Sequence, residues 1–259
     1  MELRQQFLIH SGCYRAGRTI VPRGIMVHAT GVAQPDGQVF LRMWDRPDAA
    51  ACVHALVTEG GVIQTLPWNR RAWHAGCPPK GGISANNTHI AFEILEPRGH
   101  TYRGGTMAGY DAAANAAYFK AVYENAVALC AQLCRQFHFD PRRDILDHRE
   151  GFARGIASNH GDVGHWFPKH GKSMDLFRAD VEKAIREGEA HMTQQEFDAL
   201  LDAALTARRM ETEAQPVSPW AKTAWDKAVA AGIFDGTKPR GPVSREQAAT
   251  VLDRLELLK

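Results

Sequence analysis

Ala51-Cys52-Val53-His54-Ala55-Leu56-Val57-Thr58, then Glu59-Gly60-Gly61, then Val62-Ile63-Gln64-Thr65-Leu66 reads as two β-rich runs split by a hairpin turn. Downstream, Thr88-His89-Ile90-Ala91-Phe92-Glu93-Ile94-Leu95 is a further strand, bounded by Asn86-Asn87 and Pro97. Glu93 interrupts its otherwise apolar run. Asp111 is placed to cap a long helix whose Phe119, Val122, Ala126, Leu129, Cys130, Leu133 and Phe137 recur at i, i+3, i+4 spacing, the pattern of a helix packed on a sheet. A second helix over 173–187 presents Phe177, Val181, Ala184 and Ile185 on one side and stops at Gly188. Residues 1–188 therefore read as one α/β unit.

The composition changes after that point. Thr193-Gln194-Gln195-Glu196 is a capping box opening a helix with Phe197, Leu200, Leu201, Ala204 and Leu205. Residues 207–217 are polar and without period, so 189–217 reads as a helix and linker. Ser218-Pro219-Trp220 starts another helix with proline at its first position, ending at Gly232, and Ser244-Arg245-Glu246-Gln247 caps a last one. The segment 218–259 is a small helical tail, too short to bury much core by itself.

With 44% hydrophobic and 23% charged residues, the 259-residue chain has an ordinary globular balance. A formal charge of +2, with no basic run interleaved with aromatics, argues against nucleic acid. No apolar stretch approaches the ~20 residues that span a bilayer. The start, Met1-Glu2-Leu3-Arg4-Gln5-Gln6-Phe7, lacks the basic-then-apolar pattern of a signal peptide, so the expected place of synthesis is the cytoplasm. The five cysteines (Cys13, Cys52, Cys77, Cys130, Cys134) are odd in number and lack CxxC spacing, and the expectation is small apolar fillers in a reducing compartment.

Chemistry concentrates in Asp147-His148-Arg149-Glu150-Gly151 and Ser158-Asn159-His160-Gly161-Asp162-Val163-Gly164-His165-Trp166, with His28 far upstream in Gly24-Ile25-Met26-Val27-His28-Ala29-Thr30-Gly31. Two imidazoles and one carboxylate, with one open position, make a catalytic zinc site. His28, His148 and Asp162 can supply that set, although His165 and His170 compete with Asp162. Glu93 suits a general base, since burial raises its proton affinity while a metal lowers it. His160, two residues before Asp162, points the same way in an extended segment and could donate to an oxyanion. The residues by themselves stop at a His/His/Asp zinc hydrolase with its ligands not uniquely assigned.

Several ordered blocks carry a resemblance that narrows this. They are 26–31, Cys52-Val53-His54-Ala55, Gln64-Thr65-Leu66-Pro67-Trp68-Asn69, Arg71-Ala72-Trp73-His74-Ala75-Gly76, Asn86-Asn87-Thr88-His89-Ile90-Ala91-Phe92-Glu93, and the loop from Asp147 to Trp166. From about residue 20 to 185 the chain resembles the type-2 N-acetylmuramoyl-L-alanine amidases, relatives of the peptidoglycan recognition proteins, and most closely the phage and prophage endolysin branch. The resemblance implies a central mixed β-sheet flanked by helices, with zinc held by His28, His148 and Asp162. It makes Glu93 the catalytic glutamate and puts His160 where the family often has an oxyanion lysine. Val53-His54 stands where other branches carry a Tyr-His pair, so no tyrosine shares the work of Glu93. His54, His74, Trp73 and Asn87 become substrate contacts, with Trp68 and Arg70-Arg71 near the groove. The implied substrate is peptidoglycan, cut between the lactyl group of N-acetylmuramic acid and L-alanine after release of the enzyme to the cell wall by a holin.

The tail, in Trp220-Ala221, Gly232-Ile233 and Ser244-Arg245-Glu246-Gln247-Ala248, resembles part of an S-layer homology repeat, which implies wall binding, with homodimerisation as the other use of such an element. Competing readings are a peptidoglycan-binding module without catalysis, a zinc peptidase of the stem peptide, and a cytoplasmic amidase recycling muropeptides.

Overall fold

A computed structural model describes residues 1–79, 81–190 and 194–258, with the side chains of 189, 190 and 194–196 left aside. The chain divides into two compact units, Met1–Glu189 and Ala190–Lys259. The first is an α/β unit built on strands β1 (Leu3–Gln5), β2 (Gly24–Ala29), β3 (Ala55–Thr58), β4 (Gly61–Gln64), β5 (His89–Ile94), β6 (Thr101–Arg103), β7 (Thr106–Ala108) and β8 (Ile145–Asp147). Six of them form a mixed sheet in the order β1-β4-β3-β5-β2-β8, and β6 with β7 makes a separate hairpin. β3 and β4 are antiparallel across Glu59-Gly60, whereas β3, β5, β2 and β8 run parallel to one another.

A mostly parallel sheet covered on both faces explains why its strands read as near-continuous apolar runs. On one face Ile25, Val27, Phe92, Ile94, Ala55 and Val57 pack against Phe119, Val122, Ala126, Leu129 and Leu133 of the 22-residue helix α3 and against Phe177 and Val181 of α6. On the other, Met26, Leu56, Ile63 and Ala91 meet Phe40, Leu41, Leu66, Cys13 and Cys52. The helices of this unit are α1 (Gly12–Arg15), α2 (Gly37–Trp44), α3 (Ala116–Phe137), α4 (Pro141–Asp144), α5 (His148–Ala153) and α6 (Met174–Ala190). Asp111 caps the turn before α3, accepting from the Ala114 amide at 3.0 Å, so the helix itself begins five residues later than its sequence signal. α6 runs through Gly188 to Ala190.

Two cysteines depart from the filler expectation. Cys13 and Cys52, 39 residues apart, form a disulfide inside the second core cluster, while Cys130 and Cys134 are buried free thiols and Cys77 is exposed. Closing a loop of that length removes about 4 kcal/mol of unfolded-chain entropy in the simplest treatment. Spacing could not reveal the pair because the fold, rather than a local motif, brings α1 to the segment before β3.

The second unit contains α7 (Gln194–Glu213), α8 (Lys222–Ala230) and α9 (Arg245–Arg254). The capping box expected at residues 193–196 lies outside the described residues. The stretch 207–213, expected as linker, is helix: alanine and arginine are good helix formers, and Arg209 donates to Glu213 one turn on. Ser244 and Gln247 form the reciprocal cap expected for α9, and Trp225 stacks on Phe234. Among the described residues no helix is long and apolar enough to cross a membrane.

His54 ties the sheet to the segment that follows β4. It is fully buried, its Nδ1 accepts from the Ala91 amide at 3.0 Å, and its Nε2 lies 2.7 Å from the Arg70 carbonyl. Burial pushes it down to about 4, and burial with the nearby Arg154 charge does the same for His89. Both imidazoles are thus neutral in the fold and gain protons on unfolding between pH ~6.5 and 4. Stability is therefore expected to be full above pH 6.5 and to fall as the pH approaches 4, by about 3 kcal/mol from His54 and less from His89. Denaturant titrations at pH 7, 5.5 and 4 check this; a pH-independent midpoint over that window would refute it.

Candidate active site

Register builds the site. In the parallel pairing of β2 with β5, His28 lies opposite Glu93; in that of β2 with β8, Val27 lies opposite Asp147, so His148 follows at the position beside His28. Directly paired residues on adjacent strands share a face. Glu93, His28 and His148 consequently stand in a row at the carboxyl ends of three neighbouring parallel strands, where open α/β sheets place their crevices. Asp147 also caps α5, accepting from the Glu150 amide while Glu150 answers to the Asp147 amide, which fixes where the strand stops and the His148 side chain departs.

Asp162 arrives from the other side. Its backbone is left-handed, φ 41°, a conformation Asp tolerates better than most residues, and it turns the carboxylate back onto the histidines. Asp162 Oδ1 is 3.2 Å from His28 Nδ1, Oδ2 is 3.1 Å from His148 Nδ1, and the two Nδ1 atoms are 3.2 Å apart. Asp162 Oδ2 has no aligned hydrogen-bond donor despite that proximity. A tetrahedral zinc with bonds of ~2.0–2.1 Å would set its ligands about 3.3 Å apart. The two Nδ1 atoms and the Asp162 carboxylate, which meets one histidine with each oxygen and whose buried Oδ2 has no donor, converge at nearly that spacing and fit a divalent cation. His28, His148 and Asp162 are also the group among the described residues that meets metal-ligand geometry. Burial pushes the Asp162 carboxyl up, but the charges and hydrogen bonds of His28 and His148 outweigh it and hold the group below the ordinary carboxylate range.

The three line a cleft of about 560 Å³ together with Glu93, His74, Trp73, His160 and Tyr102. Glu93 Oε2 is shut off from solvent and has no hydrogen-bond partner. Burial first, then the charges of Asp162 and Glu96, push its carboxyl well above the usual range. His160 is exposed and lines the cleft, its ring 4.7 Å from that of His148 and its Nδ1 3.1 Å from Ser158 Oγ. His165 and His170 are not drawn into the cluster. His165 packs on Gly161 and edges Tyr102; His170 stacks on Phe119 and reaches the Tyr110 hydroxyl at 2.7 Å.

The expected substrate contacts divide. Trp73 and His74 line the cleft, but His74 Nδ1 is 3.0 Å from His28 Nε2 and so engages a histidine of the cluster. His54 is corrected: with both ring nitrogens on the main chain and no exposed surface, it is a structural residue away from the groove. Asn87 is likewise turned aside, accepting from Arg71 Nε at 2.7 Å. Sequence reasoning missed Glu96. It is buried, accepts from Gly31 N at 3.0 Å and the Tyr102 hydroxyl at 2.9 Å, and pairs with His100, so it anchors both the turn after His28 and the β6–β7 hairpin on the cleft wall. Its only sequence signal is a carboxylate directly after an apolar strand.

A cleft at the strand ends of a mixed α/β sheet, lined by several histidines and the carboxylates of Glu93 and Asp162, has the make-up of a hydrolytic site. A family model described as N-acetylmuramoyl-L-alanine amidase matches residues 17–165, and the chain belongs to that family. Among curated relatives, N-acetylmuramoyl-L-alanine amidase XlyA of Bacillus subtilis (strain 168) is 32% identical over 94 residues, covering 36% of this chain and 31% of the relative. N-acetylmuramoyl-L-alanine amidase CwlH of the same strain is 25% identical over 163 residues, covering 61% and 62%. The chain thus matches less than two thirds of the length of either. The catalytic domain of XlyA superposes with a TM-score of 0.52 at 21% identity, over 70% of this chain and 99% of that one. The hydrolase AmiA of Staphylococcus aureus, in complex with its ligand, gives 0.52 at 19% over 71% and 83%. These two likenesses bear on the fold, which the chain shares with both.

The electrostatics of Glu93 carry a stability consequence. Its folded proton affinity is raised, so the native state is penalised as the pH climbs above the normal carboxylate range. In metal-free protein, Glu93→Gln is expected to stabilise the fold at pH 7 by on the order of 1 kcal/mol, the gain vanishing near pH 4. Denaturation of both forms with chelator present measures it; a variant no more stable than the parent at pH 7 would sink the argument.

Proposed function

We propose that the protein is a zinc-dependent N-acetylmuramoyl-L-alanine amidase of the endolysin kind. It hydrolyses the amide between the lactyl group of N-acetylmuramic acid and the L-alanine of the stem peptide. The observation carrying this is the alignment of Glu93 beside His28 on adjacent strands, with His28, His148 and Asp162 converging on one point. When bound there, zinc supplies Lewis acidity at the scissile carbonyl and brings the pKa of a water down toward about 7.

The chain's own residues supply the rest. Two neutral imidazoles and one carboxylate hold the cation without cancelling its charge. Glu93, buried and without a partner on Oε2, is suited to take a proton from water and deliver it to the departing alanine nitrogen. Its high proton affinity favours holding that proton between the two steps. The His160 ring at the cleft mouth is suited to donate to the oxyanion when it carries protons on both nitrogens, with Nδ1 donating to Ser158 Oγ. Trp73 and Tyr102 on the cleft walls offer flat faces to sugar and peptide.

The site of action we infer is the cell wall, and a Cys13–Cys52 disulfide supports it, since such bonds persist in oxidising surroundings. The resemblance of the second unit to an S-layer repeat, together with its solvent-facing Trp220, supports contact with a wall polymer.

Digestion of purified peptidoglycan followed by mass spectrometry is the direct test. New L-alanine amino termini on intact glycan are expected; new reducing sugars or cuts within the stem peptide would overturn the assignment. Asp162→Ala is expected to lose stoichiometric zinc. Glu93→Gln should keep zinc while turnover falls by ~10²–10⁴. Full zinc in Asp162→Ala would remove Asp162 from the ligand set.

A further inference from the structure

Each metal-site histidine faces the cluster through Nδ1, so its proton, in the neutral ring that can offer that lone pair, sits on Nε2 and needs an acceptor. For His28 the acceptor is His74 Nδ1 at 3.0 Å. For His148 it is Ser158 Oγ at 3.3 Å. Both acceptors trace to one short segment, residues 73–76. His74 belongs to it, and Ser158 is held on it twice, its amide donating to the Ala75 carbonyl at 2.8 Å and its hydroxyl to the same oxygen at 3.3 Å. The next residue, Gly76, has φ 60°, and a Cβ there would meet Ser158 Oγ at 2.5 Å, so the segment approaches Ser158 as closely as a glycine permits.

One side-chain oxygen pins this segment. Asn86, buried in the short turn before β5, accepts from the His74 amide at 2.7 Å and the Ala75 amide at 2.9 Å. Those two amides flank the unit that carries the His74 ring on one side and the Ala75 carbonyl on the other. The geometry points to Asn86 as a positioning residue for the metal centre: through residues 74 and 75 it sets the outer hydrogen bonds, and with them the tautomer and ring orientation, of both His28 and His148. The inference rests on reading His28, His148 and Asp162 as ligands. It goes further in assigning one residue, outside the cleft and touching neither histidine, control over both. Outer-shell partners of this kind typically govern metal affinity by ~10- to 100-fold.

The test is zinc affinity, measured by competition with a chromophoric chelator on full-length protein at a temperature where each variant is folded by near-UV circular dichroism. Asn86→Ala is expected to bind zinc 10- to 100-fold more weakly. Asn86→Asp, which keeps an acceptor of the same size, is expected to restore affinity to within a few-fold of the parent or better. Ser158→Ala, which removes only the acceptor for His148, is expected to weaken binding by about tenfold, and it carries the test should Asn86→Ala fail to fold. A merely structural Asn86 would lower the melting temperature and leave the affinity of folded protein unchanged. That result, or an Asn86→Asp variant as weak as Asn86→Ala, would overturn the inference while the metal site stands. A parent chain that takes up no zinc would overturn the site and the inference together.

Discussion

The geometry of the cleft hangs on the parallel register of three strands. β5, β2 and β8 are aligned so that Glu93, His28 and the residue following Asp147 reach the carboxyl edge of the sheet side by side and on one face. Side chains alternate along a strand, so a slip of one residue in β5 would send Glu93 into the helix-covered core and bring Phe92 or Ile94 to the cleft. The apolar residues on either side forbid that slip: Phe92 and Ile94 fill the α3 side, and Ala91 fits the opposite cluster. The core thereby does the positioning, with alternating burial fixing the register and the register fixing the chemistry.

That placement carries an electrostatic cost which the surrounding structure absorbs. Burial and the charges of Asp162 and Glu96 raise the proton affinity of Glu93, and His28, His74 and His148 crowd the same volume. Asp162 escapes because two imidazoles face it, Glu96 because Gly31, Tyr102 and His100 satisfy both its oxygens, while Glu93 keeps an oxygen without a partner. Glu93 is thus left with an oxygen free to act as a proton acceptor, since an acceptor already spent on a hydrogen bond has less to offer water.

How much of this a sequence can carry depends on the range of the interaction. The alternating and i, i+3, i+4 patterns made β3, β4, β5 and α3 readable, because burial acts residue by residue. Glu93 was conspicuous for the same reason, as a charge within an apolar strand. His54 misled, since a histidine between apolar neighbours looks equally like a groove residue and a core one; only the Arg70 carbonyl and Ala91 amide decide it. The Cys13–Cys52 bond, the inward turn of Asp162, and the pairing of His74 with His28 join residues 39 to 134 positions apart. No local pattern encodes such pairs. The helix through 207–213 was missed on the opposite ground: a helix polar all round has no apolar period to read.

The distribution of support around the site also explains why its residues lie so far apart in the chain. On the proposed reading, the ligands come from a strand end, a helix start and a left-handed turn, none of which can adjust another directly. A common reference is therefore needed, and residues 73–76 supply it. The Cys52–Trp73 bridge ties this segment to the chain before β3, Asn86 ties it to the turn before β5, and Ser158 ties it to the loop that ends in Asp162. A ligand set assembled from three elements stays within the few tenths of an ångström that coordination demands only when those elements share such a brace. The brace makes no contact with the converging ligand atoms except through the outer nitrogens of the histidines. It can thus be stiff without obstructing the open side of the cleft, where Glu93 and His160 must remain accessible to water and substrate.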